Sequence, residues 1–188
     1  MLPLFYFGNI AYWKKVVAAD KIEFHSNGII PKKSYTNRTI IATANGVQSL
    51  SIPIEGGRGA KTPFSEIKIS YTENWVDKHL MALLSAYSKS PFYEYYIPYF
   101  EKILIGKPEK LIDLNLAIFK EIHRMLKLEI PYEMTKSENH ITQEFIPNEF
   151  CQDLTPYSQV FRYKYEFKPD LSILDLLFCA GNRAKEYL

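Results

Sequence analysis

LPLFYFGNIAYWKKVVAADKIEFH, residues 2–25, is the stretch on which the fold turns. Residues 2–7 are short, apolar and aromatic, and Gly8-Asn9 then breaks the run, as a buried strand and a tight turn would. Residues 10–19 place Ile10, Trp13, Val16 and Val17 on one helical face. Residues 21–25, KIEFH, alternate like a second strand. Strand, helix, strand predicts a parallel crossover unit and so an α/β fold. The Gly8-Asn9 turn would then lie at the carboxyl end of the first strand, where open α/β sheets collect ligands.

The elements that follow extend this into a mixed sheet, a helical region and a short C-terminal strand/helix segment. RTIIAT (38–43) and VQSLSIPI (47–54) flank Asn45-Gly46, a hairpin signal. FSEIKIS (64–70) alternates as a further strand, after a loop at 55–62 with three glycines and two cations. Asn74 predicts the cap of a helix from Trp75 to about Lys89, with Val76, Leu80, Leu83, Leu84 and Tyr87 as its apolar stripe. Pro91 opens a second helix that Pro98 should break or restart. Pro108 opens a third, to about Lys127, with Leu111, Leu114, Ile118, Ile122 and Met125 at 3/4 spacing. Residues 130–168 predict short strands and loops, and PDLSILDLLFCAG a buried helix stopped by Gly181. With neither repeats nor a linker, residues 1–188 read as a single domain.

Composition excludes several classes. Apolar residues make up 47% of the chain, which can therefore fill a core. Twenty-three basic against 21 acidic residues give a net charge of +2, which is no nucleic-acid footprint. Two cysteines, Cys151 and Cys179, build neither a cysteine metal site nor a disulfide framework, although a single bridge stays open. No apolar run approaches the roughly 20 residues that span a bilayer, and the start lacks a basic n-region. The expectation is a reduced, cytoplasmic protein with no transmembrane segment, at most peripheral on a membrane.

No P-loop, GxGxxG, HExxH or GxSxG is present, and His25, His79, His123 and His140 are scattered, so neither a metal nor a cofactor is expected. His79 falls at the margin of its helix's apolar stripe, one turn after Trp75. It reads either as a packing histidine or as a general base near neutral pH. Asn115 lies close to the apolar face of the third helix, as glue or as a ligand contact. Asp175, inside ILDLLF, is either paired with a cation or on an exposed face. KKSYTNR (32–38) holds three cations and three small polar side chains. On a regular strand Lys33, Tyr35 and Asn37 face one way, and Ser34, Thr36 and Arg38 the other. The cations therefore split between faces, which suits a solvated edge strand. An arginine next to an asparagine can also grip a carboxylate or phosphate.

Several fragments coincide in order and spacing: SYTNR followed by TII, then ANG and SIPI, then NWVDKHL, AYSKSPFYEYY, PYSQVF and FKPDLSILDLLFCAG. Together they resemble the WbqC-like protein family from about residue 4 to Gly181. The family's opening His-Gln-Pro, its Tyr-x-Pro-Trp segment and its Gly-Tyr-Phe are replaced by LPLFYFGNIAYW, which looks like a divergent branch. If the His-Gln pair carries chemistry elsewhere, this chain uses other groups or does not perform that reaction. Members occur in gene clusters for O-antigen and related surface polysaccharides, and transfer of glycine or another acyl group to an amino sugar has been proposed for some. The resemblance adds weight to Tyr35, Asn37, Arg38, Trp75, Lys78, His79, Tyr87, Asn115, Gln159 and Asp175.

The reading that follows is a transferase acting on a sugar, nucleotide-linked, in surface-polysaccharide synthesis. Arg38 and Lys33 would hold a phosphate or carboxylate, and His79 would take the proton of the attacking amine or hydroxyl. Tyr35, Asn37, Lys78 and Asn115 belong to the substrate-binding set, and Trp75 and Tyr87 would wall the sugar ring. The alternative is a non-catalytic module that binds a nucleotide sugar or another assembly protein. An enzyme places His79 in a concave pocket facing Arg38, whereas a module keeps the two apart and exposes flat aromatics.

Overall fold

The computed structural model describes residues 2–31, 34–56, 62–136 and 154–188. Lys32, Lys33, most of the glycine loop with Arg58, His140 and Cys151 lie outside the described residues. Helices and strands are mixed, in an α/β arrangement. Helix α1 is Ile10–Val17, followed by strand β1 (Ile22–His25) and the hairpin β2 (Arg38–Thr43) and β3 (Gly46–Ser51). Helices α2 (Trp75–Tyr87), α3 (Tyr93–Ile105) and α4 (Leu111–Met125) come next, then strand β4 (Tyr132–Thr135) and helix α5 (Ile173–Ala180). A 3-10 segment, Gly181–Tyr187, closes the chain.

The opening stretch corrects the crossover expectation. Residues 10–17 and 22–25 are helix and strand, but residues 2–7 are an irregular buried segment. Its backbone finds a different partner at each step: Leu2 N–H donates to Glu23, Tyr6 N–H to Tyr35, and the Leu4 carbonyl accepts from the Asn115 side chain. Pro3 has no N–H to give a ladder. Phe7 (φ 64°) and Gly8 (φ 69°) turn the chain sharply, and a β-carbon on Gly8 would sit 2.6 Å from the Tyr12 ring. The turn is held from both sides. Ile10 N–H donates to Leu171 and Ile173 N–H to Gly8, so the N-terminus is laced to the start of α5. The Asn9 side chain caps α1 at the Tyr12 N–H, and the Trp13 indole N–H donates to the Phe7 carbonyl.

The parallel partner of β1 is β4, with Ile22 opposite Tyr132. β2 and β3 pair antiparallel as a separate two-stranded sheet; the hairpin forms where the signal predicts it, but its turn residues are Ala44-Asn45, and Gly46 already pairs with Thr43. The run 64–70 is not a strand. Phe64–Glu66 form a 3-10 turn, after which Lys68 and Ile69 make only isolated bridges, to Lys110 and Ile54.

Asn74 stands at the cap position of α2, but its amide binds the Asp77 carboxylate, so no side chain caps the backbone there. The buried stripe of α2 is Trp75, Val76, His79, Leu83, Ala86 and Tyr87, with Leu84 exposed. His79 is therefore at the centre of the packed face rather than its margin. Helix α3 runs through Pro98. Glu94, whose carbonyl loses its N–H partner to that proline, is exposed, so water can replace the missing bond. Helix α4 carries the expected stripe, with Leu111, Leu114, Ile118 and Ile122 buried. Gly181 ends α5 at φ 61°, where a β-carbon would lie 2.6 Å from the Phe92 ring. Among the described residues no helix is long and apolar enough to cross a membrane.

Candidate functional site

The residues singled out by sequence separate into an interior knot and the floor of an open cleft. Ser34 to Asn37 form bends and the strand begins at Arg38, so the facing rule for a regular strand applies only from there. Tyr35 is buried, and its hydroxyl donates to Asp170 at 2.7 Å. The other oxygen of Asp170 accepts from the Asn9 amide. The Asn37 amide donates to the Ile52 carbonyl at 3.0 Å, pinning the end of the hairpin. Arg38 is half-buried and pairs across the ladder with Ser51. Lys78 is exposed and pairs with Glu73 at 3.2 Å.

His79 sits behind that hairpin, 4% exposed. Its Nδ1 meets the Tyr6 hydroxyl at 2.9 Å, and the Ser51 carbonyl is the other group bonded to the ring. Burial pushes the imidazole down from 6.5 to about 4, against the weaker opposite pull of the Ser51 carbonyl. The ring is thus neutral at neutral pH. Burial also pushes the Tyr6 phenol up, so it remains a donor. Trp75 meets His79 edge-on at 5.1 Å and stacks with Tyr71 at 5.7 Å. The Trp75 indole N–H is buried with no hydrogen-bond partner among the described residues. His79 and Arg38 are linked through Ser51, which bonds the one and faces the other across the ladder. No described cleft is lined by either.

Asn115 joins the same interior. Its amide donates to the Leu4 carbonyl at 3.2 Å and the Thr36 carbonyl at 2.8 Å, tying both irregular segments to α4. We expect Asn115→Ala to cost about 2 kcal/mol, because two buried carbonyls lose their donor. Urea unfolding checks this. A variant of wild-type stability would show that those carbonyls do not depend on Asn115.

The cleft floor was not legible from either end of the chain. Asp175 is fully buried in α5, so it is not on an exposed face, and among the described residues it is paired with no cation, which corrects both sequence alternatives. Its Oδ2 accepts from the Tyr157 hydroxyl, and the Tyr87 hydroxyl, which accepts the Ala42 N–H at 3.1 Å, is the second phenol beside it. The Gln159 amide donates to the Tyr157 hydroxyl and to the Lys168 carbonyl, while its oxygen accepts the Lys168 N–H. Burial pushes Asp175 up from 3.8 to about 6, the phenols and Gln159 pulling the other way. Tyr87 is therefore a buried strut and Gln159 a brace. Tyr157 is the key partner that sequence reasoning passed over. Only its place two residues before Gln159 in PYSQVF could have flagged it.

Above this network lies a cleft of about 760 Å³, with Tyr157 and Gln159 on its inner wall and Tyr163, Tyr165, Tyr187, Arg162 and Lys164 around it. The Lys164 ammonium and Tyr165 hydroxyl both donate to the Ala44 carbonyl, anchoring this wall to the hairpin turn. Among the described residues no group of histidine, cysteine and carboxylate side chains could hold a metal ion.

The WbqC-like protein family matches residues 4–145 of the chain. No curated protein and no solved structure matches.

Proposed function

The chain belongs to the WbqC-like protein family, and from that premise we propose that it binds a nucleotide-linked sugar during surface-polysaccharide assembly. The family is associated with proteins of O-antigen and related polysaccharides. The single observation that carries this reading is the 760 Å³ cleft of tyrosines and two cations, braced through Tyr157 and Gln159 to the buried Asp175. Its size suits a small molecule. Phenol faces give a pyranose ring an apolar platform, and their hydroxyls meet its hydroxyls. The planar fork of Arg162 suits a pyrophosphate.

A second reading keeps the chemistry that the family resemblance implies: transfer of an acyl or aminoacyl group, such as glycine, to the amino sugar. His79 would be the base, and Arg38 with Lys33 would hold the phosphate. Two features support it: His79 is neutral at neutral pH, and only Ser51 separates it from Arg38. Binding without chemistry is favoured because the His79 ring is buried and already engaged by the Tyr6 hydroxyl and the Ser51 backbone.

The test is a thermal-shift series with UDP-sugars on the wild type, Arg162→Ala and Arg38→Ala. A ligand at about 100 times its Kd should add about 2.7 kcal/mol of stability and raise the melting temperature. Loss of that rise in Arg162→Ala alone supports the cleft. Loss in Arg38→Ala alone moves the site to the hairpin and favours the transferase. No rise with any UDP-sugar overturns the nucleotide-sugar reading.

A further inference from the structure

A second cleft, of about 570 Å³, lies on the other side of Tyr163. Ser158, Gln159 and Tyr163 line both clefts, so a single wall of side chains separates them. The second cleft is built on the end of α2 and the turn after it, with Ser85, Ser88 and Ser90 along one side and Lys89 at its edge. Cys179 is at its back.

Its chemistry differs from that of the first cleft. Serine side chains, chiefly Ser85, Ser88 and Ser158, share its lining with apolar groups such as Val160 and Phe161, and it lies at the carbonyl end of α2. The Tyr87 carbonyl already takes both the N–H and the hydroxyl of Ser90. The negative end of a helix dipole disfavours an anion and suits neutral hydroxyl donors. Burial holds the Cys179 thiol protonated, so it is no nucleophile. Tyr163 is 81% exposed, the most exposed large hydrophobic side chain described, and it presents a ring to each cleft. A flat ring exposed to water and shared by a polar cleft and a mixed one is a stacking platform for sugars, which bury their apolar C–H faces on it while their hydroxyls reach the serine and amide groups nearby.

We propose that this second cleft binds an uncharged, hydroxyl-rich saccharide beside the nucleotide-linked sugar, with Tyr163 between the two. The assignment rests on the reading of the first cleft given above. It makes the molecule a two-ligand platform rather than a one-ligand receptor. In either functional reading, the neutral saccharide is the partner to which the nucleotide-linked sugar is presented.

The experiment uses ligand-observed NMR with maltose and N,N′-diacetylchitobiose as neutral probes, with and without saturating UDP-N-acetylglucosamine. The proteins are the wild type, Ser85→Trp and Arg162→Ala. Ser85 is exposed on α2, so a tryptophan there fills the second cleft without entering the core. At least one disaccharide should bind the wild type, persist under saturating nucleotide sugar, and weaken about tenfold or more in Ser85→Trp. The UDP-sugar thermal shift should survive Ser85→Trp and fail in Arg162→Ala. Displacement of the disaccharide by the nucleotide sugar, or unchanged disaccharide binding in Ser85→Trp, overturns the second cleft. So does nucleotide-sugar binding with no disaccharide binding, which leaves the first cleft standing. Failure of both ligands overturns both.

Discussion

Phe119→Ala lowers the unfolding free energy by about 3–5 kcal/mol, the range for deleting a large aromatic side chain from a packed core. Phe119 is 2% exposed and is the hub of an aromatic cluster. It stacks on Trp13 of α1 at 5.2 Å and 15°, meets Phe24 of β1 edge-on at 4.8 Å and Tyr132 of β4 edge-on at 5.2 Å, and leans on His123 of its own helix. One side chain of α4 therefore joins α1 to both partners of the only parallel pairing among the described strands. Surrounding rings are stiff and cannot collapse into the space, so most of the cavity stays open. Urea unfolding measures the loss. Phe119→Leu, which keeps more of the volume, should cost about 1 kcal/mol or somewhat more. A loss below about 1 kcal/mol for the alanine variant would mean that the cluster is not packed as described.

The second large effect is a pair of opposed pH dependences. Asp175, raised from 3.8 to about 6 by burial, holds its proton more tightly in the folded chain. It is neutral in both states below 3.8. As pH rises through the folded value, ionisation in the interior costs stability, up to about 3 kcal/mol, since one pH unit of separation is worth about 1.4 kcal/mol. His79, lowered from 6.5 to about 4, behaves in the reverse sense. The unfolded ring binds a proton that the folded ring refuses, so stability is lost as pH falls from 6.5 towards 4, again by about 3 kcal/mol. Between about pH 4 and 6 the two slopes largely cancel in the wild type.

Single variants unmask them. Relative to wild type, Asp175→Asn should lose about 2–3 kcal/mol of its advantage between about pH 7 and about pH 4, because only the wild type is relieved by acid. His79→Gln should gain about 2–3 kcal/mol over the same interval, because only the wild type is penalised. Taking differences from wild type removes the shared contributions of other carboxylates. Urea midpoints at several pH values for the three proteins decide it. Parallel curves would show that neither group is held in the protonation state described. Same-signed deviations would show that one of the two assignments is reversed.

Much of the architecture was readable in short range. Asn45-Gly46 announced the hairpin, and the special backbone angle falls on Gly46 alone (φ 117°), which opens β3 opposite Thr43 after the turn residues Ala44-Asn45. The 3/4 spacing of Leu111, Leu114, Ile118 and Ile122 announced α4, and Gly181 the stop of α5, at a positive φ that glycine adopts freely. The motifs SYTNR, ANG and NWVDKHL carried the family. The candidate site was legible only as a set of positions. Tyr35, Asn37, Tyr87, Asn115, Gln159 and Asp175 were marked, yet what they mark are interior hydrogen bonds, and those of Tyr35, Tyr87 and Asn115 reach partners far along the chain.

The division has one physical reason. Helix stripes, turns and caps arise from neighbours within a few residues, so composition and spacing alone determine them. Residues 2–7 are as apolar as any strand, but whether they join a ladder depends on which backbone groups the folded interior offers them. Tyr6 finds His79, Tyr35 finds Asp170, and Tyr157 finds Asp175. β1 finds β4 across the length of the helical region rather than the segment beside it. Those choices follow from pairing most of the buried donors and acceptors at once, the Trp75 indole N–H being one left over among the described residues. Only the closed tertiary structure sets that condition, and it replaced the expected crossover with an irregular laced segment and put His79, which the sequence left as a packing histidine or a general base, in the interior beside Tyr6 and Ser51.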